Sequence, residues 1–201
     1  MAGYQALAAV GRSIVTLLNQ SFREEIPAGD PRPEAVLAGP VDFDKVDTPG
    51  AVIRYPAVSV YCYRLSIDRE TRPAWAAAAA QDGIPKLPLR MHLLISAWDR
   101  VVESELTWLG LTVRILESEP TLTWPGPLDG SGDWQPGDAV RIVPDDLAMD
   151  SMSEAFQAMT TDYRLCLPYL ARVVRIDGRP GTTSGEVTVV GSRTDLSGAV
   201  R

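Results

Sequence analysis

The sequence predicts an α/β fold, a mixed, largely antiparallel sheet with amphipathic helices packed on it, and three stretches carry that expectation. In the first, Leu89 to Pro120, the period changes midway. Leu89, Met91, Leu93, Ile95 and Ala97 alternate with Arg90, His92, Leu94 and Ser96, the two-residue period of a strand. From Asp99 onward Val102, Leu106, Leu109, Val113 and Leu116 recur at helical spacing on one face. Asp99 is the expected N-cap, Glu103 and Glu105 suit the positive end of the helix dipole, and Pro120 ends the helix. The second stretch is residues 4–25, where Tyr4, Leu7, Gly11, Ile14, Leu18 and Phe22 form a stripe widened by Ala8, Val15 and Leu17. Gln5, Arg12, Asn19 and Arg23 fall on the side expected to face water. The third is Ala57 to Asp68, a strand whose faces are both largely apolar or aromatic, as expected of a central strand covered on both sides.

The remaining elements follow in order. Ala28 to Pro49 holds Pro31, Pro33, Pro40 and Pro49 with Asp42, Asp44 and Asp47, so most of it should be irregular. Arg69 to Pro88 passes Trp75 and the run Ala76–Ala80, enough for one or two helical turns before Pro85. Short strands are expected at Thr121–Trp124 and Ala139–Val143, separated by a turn-rich loop, Pro125 to Gly137, that carries Trp134. Asp150 or Ser151 should cap a helix with Met152, Phe156 and Met159 on one face. A long strand, Tyr163 to Ile176, is interrupted by Pro168, which marks an edge or a bulge there. This organisation reads as one domain, 1–177, followed by a tail, 178–201, whose β-prone run Glu186–Val190 should order by joining another sheet.

Charge and composition narrow the function classes. A net charge of −7 argues against a general nucleic-acid binder. Residues 1–162 carry 13 basic and 23 acidic side chains, a balance of −10, against 6 and 3, or +3, in 163–201, an asymmetry suited to self-attachment or to an acidic partner. No apolar run reaches the ~20 residues of a membrane-spanning helix, and no signal peptide is evident, so a cytoplasmic protein is expected. Cys62 and Cys166 fall in expected strands, where a reduced thiol packs as a small hydrophobe.

A search for chemistry returns little. His92 is the one histidine, and two distant cysteines cannot complete a zinc site with it. No Walker triplet occurs, and Gly130-Ser131-Gly132 is a turn rather than a nucleophile elbow. Asp129, Ser131 and Asp133 alternate as in a calcium loop, but its sixth and twelfth positions are Trp134 and Val140, not glycine and glutamate. Asp145, Asp146 and Asp150 stand where acids stabilise a helix start. The expectation is therefore no catalytic, cofactor-binding or metal-ligating residue. A small-ligand binder on the same scaffold would have to use His92, Asp145 and Asp146. Trp75, Trp124 and Trp134 lie in or beside Pro- and Gly-rich segments, and Trp anchors interfaces. Trp75 and Trp134, with Val187 and Val189 of the tail, are the candidate interface residues.

Several patches agree, in order, with one family. They are YQALAAVGRSIVTLLNQ from Tyr4, VSVYCYRLSID from Val58, LRMHLLISAW from Leu89 with the later pair Leu109-Gly110, and VRIVPDDLAMDSMSEAFQAMTTDYRLCLPYLARVVRID from Val140. Over Tyr4 to Asp177 the chain resembles the cap, or tail-terminator, proteins of extracellular contractile injection systems, phage-tail-like particles of the antifeeding-prophage and virulence-cassette type. It departs from the family pattern at Arg72-Pro73, where an Arg-Asn pair is common, and at Phe156, where tryptophan is common. The resemblance implies a tail-terminator-like fold and a structural rather than enzymatic role. It further implies a homo-oligomeric ring, a hexamer, on the distal end of the particle, contacting the last inner-tube and sheath rings, with no nucleic acid or membrane partner. Assembly would be cytoplasmic. A baseplate or adaptor component of the same particle is the alternative.

Overall fold

The computed structural model describes residues 2–147, 153 and 164–179. Helix α1, Ala6–Glu25, is followed by strand β1, Glu34–Leu37, a short helix α2, Pro40–Phe43, and β2, Ala57–Ile67. Then come α3, Arg72–Asp82, β3, Lys86–Trp98, α4, Val102–Ser118, β4, Thr121–Thr123, a 3-10 turn at Gly130–Gly132, β5, Ala139–Pro144, and β6, Cys166–Asp177. The strands form one sheet in the order β1-β2-β3-β6-β5-β4. Only the β1–β2 pair is parallel among the described strands. The mixed, largely antiparallel α/β expectation is therefore met.

One sheet face is covered by α1 and α4. Val10, Ile14, Leu18 and Phe22 of α1 share a buried cluster with Val58, Val60, Leu93, Ile95, Ile142 and Val174. Each such Val, Ile, Leu or Phe side chain contributes about 1.5–3 kcal/mol on leaving water. Gly11 lets β1 pass close to α1, since a Cβ on it would sit 3.1 Å from Leu37 Cδ1 and the leucine side chain would have to shift. The opposite face carries smaller clusters. Leu94 and Cys166 pack with Phe43, Tyr61, Tyr63 and Leu147, and Trp98 packs with Ile53 and Tyr55 beneath Phe43, whose ring stacks on it at 5.7 Å.

Several elements differ from the sequence expectation. Tyr4 lies outside α1 and is exposed, while Ala6, Ala9, Val10 and Ser13 join the buried stripe. In α4 the buried residues are Leu109, Thr112, Ile115 and Leu116, and Val102 and Leu106 face solvent. The helix starts after Val101 rather than at Asp99, whose carboxylate instead accepts from the N–H groups of Arg100 and Val101 and from Trp108 Nε1. Strand β2 is not central: it is buried on both faces only from Ala57 to Val60, and Leu65 and Ile67 are about half exposed. The Pro-rich segment after α1 still yields the four-residue β1. The alanine run gives a full 11-residue α3, closed by Gly83 at φ 72°.

Pro168 sits inside β6 with strands on both sides, yet its position is locally an edge. Pairing with β5 ends at Tyr169, and the Pro168 carbonyl accepts from Asp145 N–H beyond that end. Its imino nitrogen points the same way, so no ladder hydrogen bond to β3 is lost. The expected helix with Met152, Phe156 and Met159, and the run Glu186–Val190, lie outside the described residues.

Candidate functional site

Trp75 and Trp134, far apart in sequence, are brought together. They line one cavity of about 200 Å³ with Gly137, Asp138, Ala139, Val173 and Arg175. Trp75 sits on α3, not in a loop, and the Arg175 guanidinium carbon lies 4.9 Å from its ring centroid. Arg175 also faces Asp138 at 3.3 Å and the buried Asp177 at 2.8 Å. Trp134 is 7% exposed and belongs to the main core. Its Nε1 donates to the Asp129 carbonyl, and its ring lies over Gly132, where a Cβ would meet it at 2.2 Å. Val187 and Val189 fall outside the described residues.

The loop that carries Trp134 is fixed to α1. Ser13 Oγ accepts from Asp129 N–H at 2.8 Å, and Arg12 donates to Asp129 at 3.1 Å and to Ser131 Oγ. The Asp129 carboxylate also accepts from the Ser131 hydroxyl and N–H. These donors, the Ser131 hydroxyl first and Arg12 next, hold its pKa down at about 2. The alternating Asp129, Ser131 and Asp133 are thus a turn docked on a helix. Among the described residues no group of three or more His, Cys, Asp or Glu side chains has the arrangement of a metal site. Burial raises the Cys166 thiol pKa to about 11 and raises that of Cys62, as expected of thiols that pack as hydrophobes.

Two of the three named polar candidates do meet. His92 Nδ1 lies 3.0 Å from Asp145 Oδ2, and its Nε2 lies 2.8 Å from Ser66 Oγ, a partner the sequence reading missed. Asp146 makes no contact with this chain of three. The order serine, histidine, aspartate is that of an activated nucleophile, but the surroundings are not. Ser66 stands in strand β2, one residue from its end, rather than on an elbow. Because Asp68 N–H bonds to the Pro88 carbonyl, antiparallel alternation commits Ser66 N–H to Arg90 across the ladder, so it cannot serve an oxyanion. What the chain of bonds does is tie the end of β5 to β3 and β2. Beside it Arg90 bridges the buried Asp68 and Glu70, and Arg172 pairs with Glu70 at 2.6 Å.

The sheet edge formed by β1 and β2 is only partly closed among the described residues. Strand β1 pairs only with Ala57–Val60, leaving β2 without an outer partner beyond that point among the described residues. At β1 itself the edge is closed. The Asn19 side chain donates to the Ala35 carbonyl and accepts from its N–H, both at 2.8 Å, in place of a neighbouring strand. Asn19 therefore does not face water as its helical position suggests. Further along β2, where the register shifts between Cys62 and Arg64, no described residue performs that service. Beside the open edge lies a groove of about 280 Å³ lined by Leu7, Gly11, Leu37, Tyr61, Leu65 and Met91, among others.

Comparison with known proteins adds the lineage. The family described as the Pvc16 N-terminal domain matches residues 9–189. Among solved structures, the fold is similar to the sheath/tube terminator of PVC, an extracellular contractile injection system, in its extended state. That match has a TM-score of 0.57 and 17% identity, covering 97% of this chain and 65% of the other. It is also similar to the tube-terminating cap of the anti-feeding prophage, with a TM-score of 0.51 and 16% identity over 90% of this chain and 60% of that one. The chain thus spans less than two thirds of the length of either structure. No curated protein matches the sequence. No helix among the described residues is long and apolar enough to cross a membrane.

Proposed function

Since this chain belongs to the Pvc16 N-terminal domain family, we propose that it is a structural cap that terminates the distal end of a contractile injection particle. The observation that carries the reading is the family match over residues 9–189, nearly the whole chain. The shared fold with two terminating caps supports it. In this reading residues 1–177 form the terminator-like body, and residues 178–201 form a tail that orders on assembly. Copies associate as a homo-hexameric ring in the cytoplasm, and the ring contacts the last inner-tube and sheath rings. The body contributes the surface around Trp75 and the Trp134 loop, and the tail contributes Val187 and Val189.

A ring closes through a heterologous contact, in which one patch meets a different patch on the next copy. A cap of this kind needs rigid surfaces rather than reactive groups, and Ser66, His92, Asp145, Glu70 and Arg172 are engaged in ties between neighbouring parts of the sheet.

Electron microscopy of particles from the encoding strain, with and without the gene, tests the proposal. Missing particles, overlong tubes or sheaths detached at one end are expected on deletion. Particles of normal length with intact ends would refute it. Labelled protein should appear at the end far from the baseplate, and labelling at the baseplate would favour an adaptor instead.

A further inference from the structure

We propose that the unpaired half of β2, Cys62 to Ile67, is the receptor for a strand donated by a second copy of this chain, the run Glu186–Val190. The inference rests on the cap reading above and names a contact within that ring.

The receptor follows from the ladder. Glu34 N–H bonds to the Pro56 carbonyl and Ala38 N–H to the Val60 carbonyl, so even-numbered residues of β2 face β1 at this end. After the register shift at Cys62/Arg64 the parity changes. With Asp68 N–H bonded inward to Pro88, the main-chain groups of Leu65 and Ile67 point outward, and those of Cys62 do so before the shift. No described residue pairs with them. The side chains of Leu65 and Ile67 are 49% and 46% exposed on the α1 side of the sheet, next to the groove that also holds Leu7 and Leu37. Arg64, opposite His92 on the other face, is exposed and has no ion pair among the described residues.

The occupant is chosen by its alternation. In the run Glu-Val-Thr-Val-Val, Val187 and Val189 share one face while Glu186 and Thr188 share the other. Laid along β2, this places the valines beside Leu65 and Ile67 and the carboxylate on the face of Arg64. Five residues match the length of the open stretch. The chain leaves β6 at Gly178, whose N–H is bonded to Pro85 at the foot of β3, and β3 stands between β6 and that edge. Donor and receptor on different parts of one chain give a heterologous contact between copies, which is what closes a ring.

The test is disulfide trapping in assembled particles. Cys62→Ala and Cys166→Ala are combined with Ile67→Cys and either Val187→Cys or Val189→Cys, so that two registers of the donor's apolar face are sampled. Leu65→Cys replaces Ile67→Cys in a second set, and thermal melting of each purified variant confirms its fold. Oxidation should give a ladder of linked subunits on a non-reducing gel, at least severalfold above a Val101→Cys/Val189→Cys control on the exposed start of α4. Monomers with both thiols consumed would mean that each tail serves its own edge, and free thiols would mean that the edge is not the receptor. Either result overturns the proposal. If deletion of the gene leaves particle ends unchanged, the cap reading itself fails. If ends are lost on deletion but no ladder forms, only the strand pairing fails.

Discussion

The closed part of the sheet edge gives a sharp quantitative prediction. Asn19 supplies both a donor and an acceptor to Ala35, a residue 2% exposed at the outer side of β1. Asn19→Ala removes both, leaving one N–H and one carbonyl without partners at a site walled by α1. An orphaned buried polar group costs about 1–3 kcal/mol, and partial access of water at the edge lowers the sum, so about 2–4 kcal/mol of stability should be lost. For a chain of this size about 1 kcal/mol moves Tm by roughly 2–4 °C, giving a drop of about 4–16 °C. Asn19→Asp separates the two bonds. Its carboxylate still accepts from Ala35 N–H but opposes the Ala35 carbonyl, so at neutral pH it should destabilise at least as much. The repulsion raises the folded-state pKa of the new carboxyl above its unfolded value, so the proton favours the fold. The variant should therefore recover stability as pH falls towards about 4, where the protonated acid can donate. Urea unfolding of the three proteins at pH 7 and pH 4.5 reads both effects. A loss below about 0.5 kcal/mol for Asn19→Ala would show that the amide does not substitute for a strand.

Three further outcomes are expected. The Asp129 pKa, about 2 in the fold, lies below the ordinary carboxylate value. The stability it contributes is therefore complete above about pH 4 and lost as pH falls towards 2, and Arg12→Ala should flatten that slope in unfolding curves taken across this window. His92→Ala leaves Asp145 and Ser66 without their shared partner and should cost about 1–3 kcal/mol, with a smaller loss for Ser66→Ala. A fluorophosphonate probe should leave Ser66 unmodified, and stoichiometric labelling would overturn the view that this chain of bonds is only a tie. Gly132→Ala drives a Cβ against the Trp134 ring at 2.2 Å and should cost about 1–3 kcal/mol with a red-shifted tryptophan emission, whereas an unshifted spectrum and unchanged Tm would contradict the packing of that loop.

Legibility in the sequence followed how local the determinants were. The two-residue period of β3 was readable because Met91, Leu93 and Ile95 face one continuous core. The stripe of α4 is only partly legible because the buried residues begin at Leu109, so Val102 and Leu106 are apolar without being buried. Alanine propensity with Gly83 beyond the last turn suffices for all of α3, although no residue of that helix is buried. Strand β1 left no trace, since its partners are β2 and Asn19, neither of them near in sequence. His92 and Asp145 were named as the residues a site would use, but Ser66 reaches His92 only because the register shift at Cys62/Arg64 turns it to that face. A bulge has no sequence signature that a strand pattern does not also have.

The half-closed edge also explains why one side of the sheet can be both safe and specific. A long open edge accepts any extended chain, and a fully capped one accepts none. Here β1 occupies the outer side of β2 as far as Val60 and Asn19 the outer side of β1, so an incoming strand has only the stretch from Cys62 to Ile67. It must also fit a fixed pleat. Slipping by one residue would turn its apolar side chains away from Leu65 and Ile67 and towards Arg64, so register and side are selected together. Moving the boundary should therefore change specificity before affinity. If Asn19→Ala frees β1 as well, the longer edge should pair less selectively, and the variant should self-associate at concentrations where the parent chain does not, as read by light scattering below the unfolding transition.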